Sequence, residues 1–115
     1  MTLNEILIND QIKAYEETLL GPFLSFYSED VLVFKNHKLL FEDYNQFVDY
    51  YRKSFSINKG HKVEIIKRIS FKNMIMDYER VSERADEKIL ESMVLYTCLL
   101  YTSDAADDSL RVDLG

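Results

Sequence analysis

The sequence is short of the residues that staple, break or extend a chain. It holds one cysteine, Cys98. A lone thiol cannot close an intrachain disulfide or build a cysteine-rich metal cluster, so the fold must rest on a packed core. One proline and three glycines are too few for a linker or a disordered chain. No apolar run approaches the roughly 20 residues needed to span a bilayer, so no membrane partner is expected. The segment after Met1, TLNEILINDQIKAYEE, is polar and acidic too early for a targeting peptide, and a cytoplasmic protein is expected. Positive charge is scarce: 14 Lys and Arg stand against 20 Asp and Glu, a net charge of −6. Affinity for nucleic acid rests on cations that neutralise phosphates, so no nucleic-acid partner is expected. There is no GxSxG elbow and no glycine-rich phosphate loop, and no nucleotide cofactor is implied. His37 and His61 have no helical ligand spacing and no thiols beside them, so no metal site is expected.

What the chain does have is aromatic residues, eight Tyr and seven Phe. Thr2 to Glu5, TLNE, reads as a capping box that opens a first helix. Ile8, Ile12, Tyr15 and Leu19 recur at helical spacing and form its apolar stripe. Gly21 and Pro22 break it, and Pro22 suits the first position of a short second helix bearing Phe23, Leu24, Phe26 and Tyr27. DVLVFK, Asp30 to Lys35, reads as a strand, Asn36 and His37 as a turn, and KLLFE as its return. Asp43 caps a third helix with Gln46 in the reciprocal position. Its stripe is Tyr44, Phe47, Val48, Tyr51 and Phe55, and Asn58 to Gly60 ends it. The period then changes to two. HKVEIIKRISF, MIMDYERVSER and KILESMVLYT read as three antiparallel strands of a meander, turned by Lys72–Asn73 and by ADE. The order of elements is α+β, with helices gathered on one face of a curved antiparallel sheet.

The C-terminus, CLLYTSDAADDSLRVDLG, changes character. As a whole it shows no helical stripe and no strand alternation. CLLYTSDAAD can be encoded by TGT CTC TTA TAC ACA TCT GAC GCT GCC GAC, which resembles the end sequence of a transposase-type sequencing adapter. VDLG can be encoded by a sequence that resembles the outer primer of the same adapter. Residues 98–115 are therefore read as an adapter-derived tail and set aside from the fold. Residues 1–97 are read as one domain whose final strand is missing.

Three phrases carry a wider resemblance: AYEETLLGPFLSFYSEDVLVF, FEDYNQFVDYYRKSF and MIMDYERVSERADEKILESMVLYT. In this order they resemble the nuclear transport factor 2-like superfamily, in particular its SnoaL-like and steroid delta-isomerase-like bacterial members. The resemblance implies a cone: a bent sheet wraps the first helix and leaves an apolar pocket at the wide end. It also implies a small-molecule ligand and a homodimer, but it does not fix a reaction, because one fold hosts many functions.

In the isomerase pattern a carboxylate base moves a proton beside a ketone, while a Tyr and a protonated acid hold the enolate oxygen. By that resemblance Tyr15 takes the place of the oxyanion Tyr and Tyr51 that of a supporting Tyr. The base position falls on Lys35 and the second acid on Val94, so the standard machinery is absent. A strand places Ile75, Asp77, Glu79 and Val81 on one face and Met74, Met76, Tyr78 and Arg80 on the other. The resemblance turns the Asp77 and Glu79 face into the pocket, beside Lys35 and with Tyr96 on the next strand. Asp77 and Glu79 are the expected acid–base pair; Tyr15, Lys35, Tyr51 and Tyr96 are the expected substrate-binding residues. The bland readings are core tyrosines, a solvated Lys35, and carboxylates ion-paired with Lys35 or a basic residue on a neighbouring strand. The basic run KVEIIKRISFK alternates with apolar residues and is read as a solvent or dimer face. The expected function is a pocket protein for a small apolar molecule, with isomerase- or dehydratase-type chemistry by a pocket carboxylate. The alternative is a non-enzymatic homodimeric binding or adaptor module, with Met74, Met76 and Tyr78 on its interface.

Overall fold

A computed structural model describes residues 1–35, 38–57, 60–83, 88–98 and 110–114; at Lys35 and along 110–114 it describes the backbone. The elements are α1 (Leu3–Glu16), α2 (Leu20–Ser25), β1 (Val33–Lys35), β2 (Lys38–Leu39), α3 (Tyr44–Ile57), β3 (His61–Phe71), β4 (Met74–Glu83), β5 (Ile89–Cys98) and β6 (Leu110–Leu114). The strands form one sheet in the order β2-β1-β6-β5-β4-β3. This is the expected α+β architecture, and β3, β4 and β5 form the expected antiparallel meander.

The capping box is present. Thr2 Oγ1 accepts from the Glu5 N–H at 3.2 Å, and the Thr2 N–H donates to Glu5 Oε1 at 3.1 Å. The stop of α1 differs from the sequence reading. Thr18, at φ 53°, ends the helix before Gly21 and Pro22 are reached. The Leu19 N–H reaches back to the Ala14 carbonyl at 3.0 Å and the Thr18 N–H to the Tyr15 carbonyl at 3.1 Å. These paired bonds satisfy the last carbonyls of the helix, a Schellman ending built on a threonine instead of a glycine. Leu19 consequently leaves the apolar stripe and is 45% exposed. Pro22 is the third residue of α2 rather than its first, still within the turn whose N–H groups lack helical acceptors. At α3, Asp43 Oδ1 accepts from the Gln46 N–H at 2.9 Å, but the Gln46 side chain accepts from Glu42, one residue before the expected partner.

β1 and β2 are shorter than DVLVFK and KLLFE, because Asp30 and Val31 are spent on a turn whose N–H groups bond to Ser28. The expected turns at Asn36–His37 and Ala85–Glu87 and the Asn58–Lys59 part of the α3 ending lie outside the described residues. The Lys72–Asn73 turn is as read, with Lys72 at φ 54°.

β6 lies in the tail that the sequence reading sets aside from the fold. It runs parallel to β1 and antiparallel to β5. Without it both strands would present unpaired N–H and C=O groups, which an extended segment satisfies. Within LRVDL the apolar residues Leu110, Val112 and Leu114 alternate with Arg111 and Asp113. That five-residue period of two is obscured when the tail is judged as a whole.

The core lies between the sheet and the helices. Ile8, Ile12 and Ala14 of α1 meet Phe23 of α2, Phe47 and Phe55 of α3, and Ile75, Val94 and Tyr96 of the sheet. Each fully buried Phe or Ile contributes about 1.5–3 kcal/mol. β4 alternates as expected: Ile75, Asp77 and Glu79 are buried while Met74 and Met76 are exposed.

Candidate active site

β3 carries the feature that decides the site. Val63 and Ile65 point inward opposite Val81 and Glu79, and then the register shifts between Ile65 and Lys67. The extra residue, Ile66, is a bulge, and it exchanges the two faces of the rest of the strand. Strict alternation would have turned Arg68 outward. The bulge turns it inward, opposite Asp77.

Arg68 and Asp77 form a two-pronged pair. Arg68 Nε donates to Asp77 Oδ1 at 2.6 Å and Nη2 donates to Oδ2 at 2.8 Å. Asp77 is fully buried. The third prong, Nη1, donates to Asn9 Oδ1 at 2.7 Å and ties α1 to the sheet. The hydrogen bonds to Asp77 raise the pKa of Arg68 above its ordinary value. Asp77 is thus held in a planar clamp, and the described wall of the cavity beside it does not include it.

Glu79 stands differently. It lines a cavity of about 220 Å³ between α1, α3 and the sheet, together with Tyr15, Tyr27, Tyr51 and Tyr96. It is 6% exposed. Burial raises its pKa to about 7, with the charge of Asp77 adding to the rise; a hydrogen bond from Tyr96 and the charge of Arg68 oppose it. Tyr96 Oη donates to Glu79 Oε1 at 3.3 Å. Burial also pushes the Tyr15 hydroxyl up to about 12 and raises Tyr27, Tyr51 and Tyr96 above their ordinary range. Each of these tyrosines also feels the charge of Glu79. At neutral pH the cavity therefore presents phenolic O–H donors around one carboxyl group poised between its two forms.

Of the six residues expected from the sequence, four line this cavity: Tyr15, Tyr51, Glu79 and Tyr96. Asp77 is adjacent on the same strand face but engaged by Arg68. Lys35 belongs to β1, with β6 and β5 between it and β4, and its side chain lies outside the described residues. Val94, at the second acid position, is buried in the cavity wall. The basic run is expected from sequence to face solvent or a dimer partner; its Arg68 faces inward, because the bulge cannot be read from alternation. Tyr27 and Gln11 are among the cavity residues that carry no functional reading from the sequence. Tyr27 follows α2 and reads as part of its apolar body. Gln11 flanks the α1 stripe, one residue before Ile12, and nothing marks it except its polarity among apolar neighbours.

His61 is buried at the start of β3, its Nε2 3.3 Å from Glu83 Oε1 and its ring 5.2 Å from that of Tyr15. Among the described residues no group of three or more His, Cys, Asp or Glu could hold a metal ion. Among them also, no helix is long and apolar enough to cross a membrane.

Comparison with solved structures fixes the fold. A cystatin-fold protein from Novosphingobium aromaticivorans superposes with a TM-score of 0.77 at 13% identity, covering 100% of this chain and 99% of that one. A proposed SnoaL-like polyketide cyclase from Shewanella putrefaciens superposes with a TM-score of 0.74 at 11% identity, over 100% of this chain and 80% of that one. An NTF2-like protein of unknown function from Cytophaga hutchinsonii gives 0.70 at 13% identity, over 100% and 92%. No family model and no curated protein matches the sequence. The chain has the nuclear transport factor 2-like, cystatin-like fold. The SnoaL-like resemblance read from the sequence has its structural counterpart in the Shewanella protein.

Proposed function

We propose that this is a cytoplasmic pocket protein that takes up a compact apolar molecule and exchanges a proton with it through Glu79, in isomerase- or dehydratase-type chemistry. The observation that supports this reading is a buried carboxyl group, pKa about 7, in the wall of an aromatic cavity. General acid–base work favours a group whose pKa lies near the working pH. The cavity is smaller than the roughly 300–1,000 Å³ of drug-sized sites, so it suits one or two fused rings. In this reading Glu79 accepts a proton from a carbon next to a carbonyl, and Tyr15 or Tyr51 donates to the developing oxyanion. Asp77 acts at one remove, adding to the rise in the pKa of Glu79 that burial causes.

A two-ring ketone with acidic α-hydrogens, 2-tetralone, probes both halves of this reading. The ketone is expected to raise the melting temperature of the protein, as any ligand of the folded state does. Exchange of its α-deuterium with water, followed by NMR, is expected to be about 10²-fold or more faster with wild type than with Glu79→Gln. Binding without Glu79-dependent exchange would leave a binding protein and remove the chemistry.

A second reading, a non-enzymatic homodimeric module, is supported by the outer face of the sheet. Phe71 is 67% exposed, Ile69 55%, Met93 44%, Met74 39% and Met76 37%. These residues adjoin across the β3–β4 and β4–β5 pairings and form one apolar patch, of the kind that marks interaction surfaces. Met76→Asp is expected to weaken self-association by about tenfold or more in light scattering. A wild-type monomer whose Met76→Asp variant keeps the same mass and solubility argues against this face.

A further inference from the structure

Two carboxylates share the inner face of β4, and only one of them has a cation. Asp77 holds Arg68 through two hydrogen bonds. Glu79, two residues on, accepts from Tyr96 and pairs with no Lys or Arg among the described residues. The described lining of its cavity contains no basic side chain. An ionised carboxylate buried without a counter-cation is costly, and a cation brought to it recovers much of that cost.

An acceptor without a hydrogen-bond partner among the described residues lies in the same wall. Gln11 is 5% exposed, and its Oε1 has no hydrogen-bond partner among the described residues. The last torsion of a glutamine is broad, so its carboxamide turns toward a guest at little cost. Much of the remaining wall is aromatic. The rings of Tyr15, Tyr27 and Tyr51 surround Phe23 at centroid distances of 6.0, 5.1 and 4.8 Å, tilted by 49°, 50° and 47°. Aromatic walls around a carboxylate suit organic cations, which ring faces attract within about 6 Å.

We infer that the molecule taken up here is an organic ammonium: a compact apolar body bearing one amine, whose N–H groups bond to Glu79 and Gln11. This rests on the pocket of the reading above, not on its carbon-acid step, since a Glu79 bonded to an ammonium is not free to take a proton from carbon, and it adds the charge and head group of the ligand. The proton balance is simple. A free amine entering the cavity takes the proton of the Glu79 carboxylic acid; the nitrogen gains an N–H bond, the carboxyl loses its O–H, and an ion pair remains. If the ligand enters already as ammonium, the same proton leaves to solvent. The titratable groups facing Glu79 or its cavity are Asp77 on β4, Tyr96 on β5, Tyr15 on α1, Tyr27 after α2 and Tyr50 and Tyr51 on α3, with Arg68 on β3 behind Asp77. Arg68 is the one cation among these, and its Nε and Nη2 are committed to Asp77.

Calorimetry on the full chain with 2-aminotetralin and 2-tetralol, which differ only in the head group, tests the inference. The amine is expected to bind about 10- to 100-fold more tightly than the alcohol, the range of a charge-assisted hydrogen bond. With Glu79 titrating at about 7, titrations at pH 7 in phosphate and in Tris should show release of roughly half a proton per amine and none per alcohol. Glu79→Gln is expected to erase the preference, and Gln11→Met to reduce it by about three- to tenfold. The proton count needs no variant, so it decides the matter even if a substitution impairs folding. If the alcohol and 2-tetralone bind and the amine binds no better, or binds without releasing a proton, the ammonium inference falls and the pocket reading stands. Preference that survives in folded Glu79→Gln also overturns the inference. If all three compounds fail to bind, the pocket reading fails and takes this inference with it.

Discussion

Arg68→Met is expected to destabilise the protein by about 3–5 kcal/mol, the cost of breaking a buried ion pair and leaving one charge behind. The partner left behind is Asp77, fully buried. With the guanidinium gone, both of its oxygens lose their charge-assisted donors, at 2.6 and 2.8 Å, at a carboxylate with no exposed surface of its own. The same substitution frees Asn9, so α1 loses one of its polar ties to β3 and keeps the bond from the Val63 N–H to Glu16. For a domain of this size, whose total stability is of the order of 5–15 kcal/mol, the loss is a large share. Urea denaturation followed by circular dichroism measures it. A second variant separates charge from packing: Arg68→Met combined with Asp77→Leu removes both partners and is expected to recover much of the loss, because a matched apolar pair carries no desolvation cost. A loss below about 1 kcal/mol for Arg68→Met alone would mean that the pair is effectively solvated and that Asp77 is not sealed.

That pair also marks where the sequence stops being legible. The inner face of β4 can be read, because Ile75, Asp77 and Glu79 obey a period of two and the strand is regular from Met74 to Glu83. The element order and the meander can be read for the same reason: long periodic segments separated by short polar turns. β3 can be read as a strand but not as a pair of faces. Its bulge at Ile66 exchanges inside and outside midway, and no residue in EIIKRIS announces it. Strict alternation puts Arg68 outside and Ile69 and Phe71 inside, and each is reversed. The ending of α1 is hidden for a related reason. A Schellman cap usually advertises itself with glycine, and here Thr18 adopts the left-handed turn at a strain of about 1–2 kcal/mol. β6 lies inside a segment that can be encoded by an adapter-like DNA sequence. An adapter origin is a proposal about the DNA, which resequencing across the Thr97 codon from primers outside the insert would decide. The pairing of 110–114 with β1 and β5 follows from backbone chemistry whatever the origin.

Glu79→Gln is expected to change the pH dependence of stability, and its sign differs from that of an ordinary salt-bridged carboxylate. The folded-state pKa of Glu79 is raised to about 7 from an ordinary value near 4.5. Between those values the folded chain holds a proton that the unfolded chain has released. Stability from this group is therefore present below about pH 4.5 and is lost as the pH rises through about 7. The size of the loss is about 3 kcal/mol, from the conversion of a pKa shift into free energy. A glutamine side chain cannot ionise, so the variant has no such loss. The stability of wild type relative to Glu79→Gln should thus fall by about 3 kcal/mol between about pH 4 and pH 8, with the variant gaining as the pH rises. Urea denaturation of both proteins across that range gives the difference directly. A flat difference would show that the carboxyl is hydrated when folded and titrates as it does in an open chain. The proposed chemistry would then lose its poised group, and the ammonium ligand would lose the unanswered charge that calls for it.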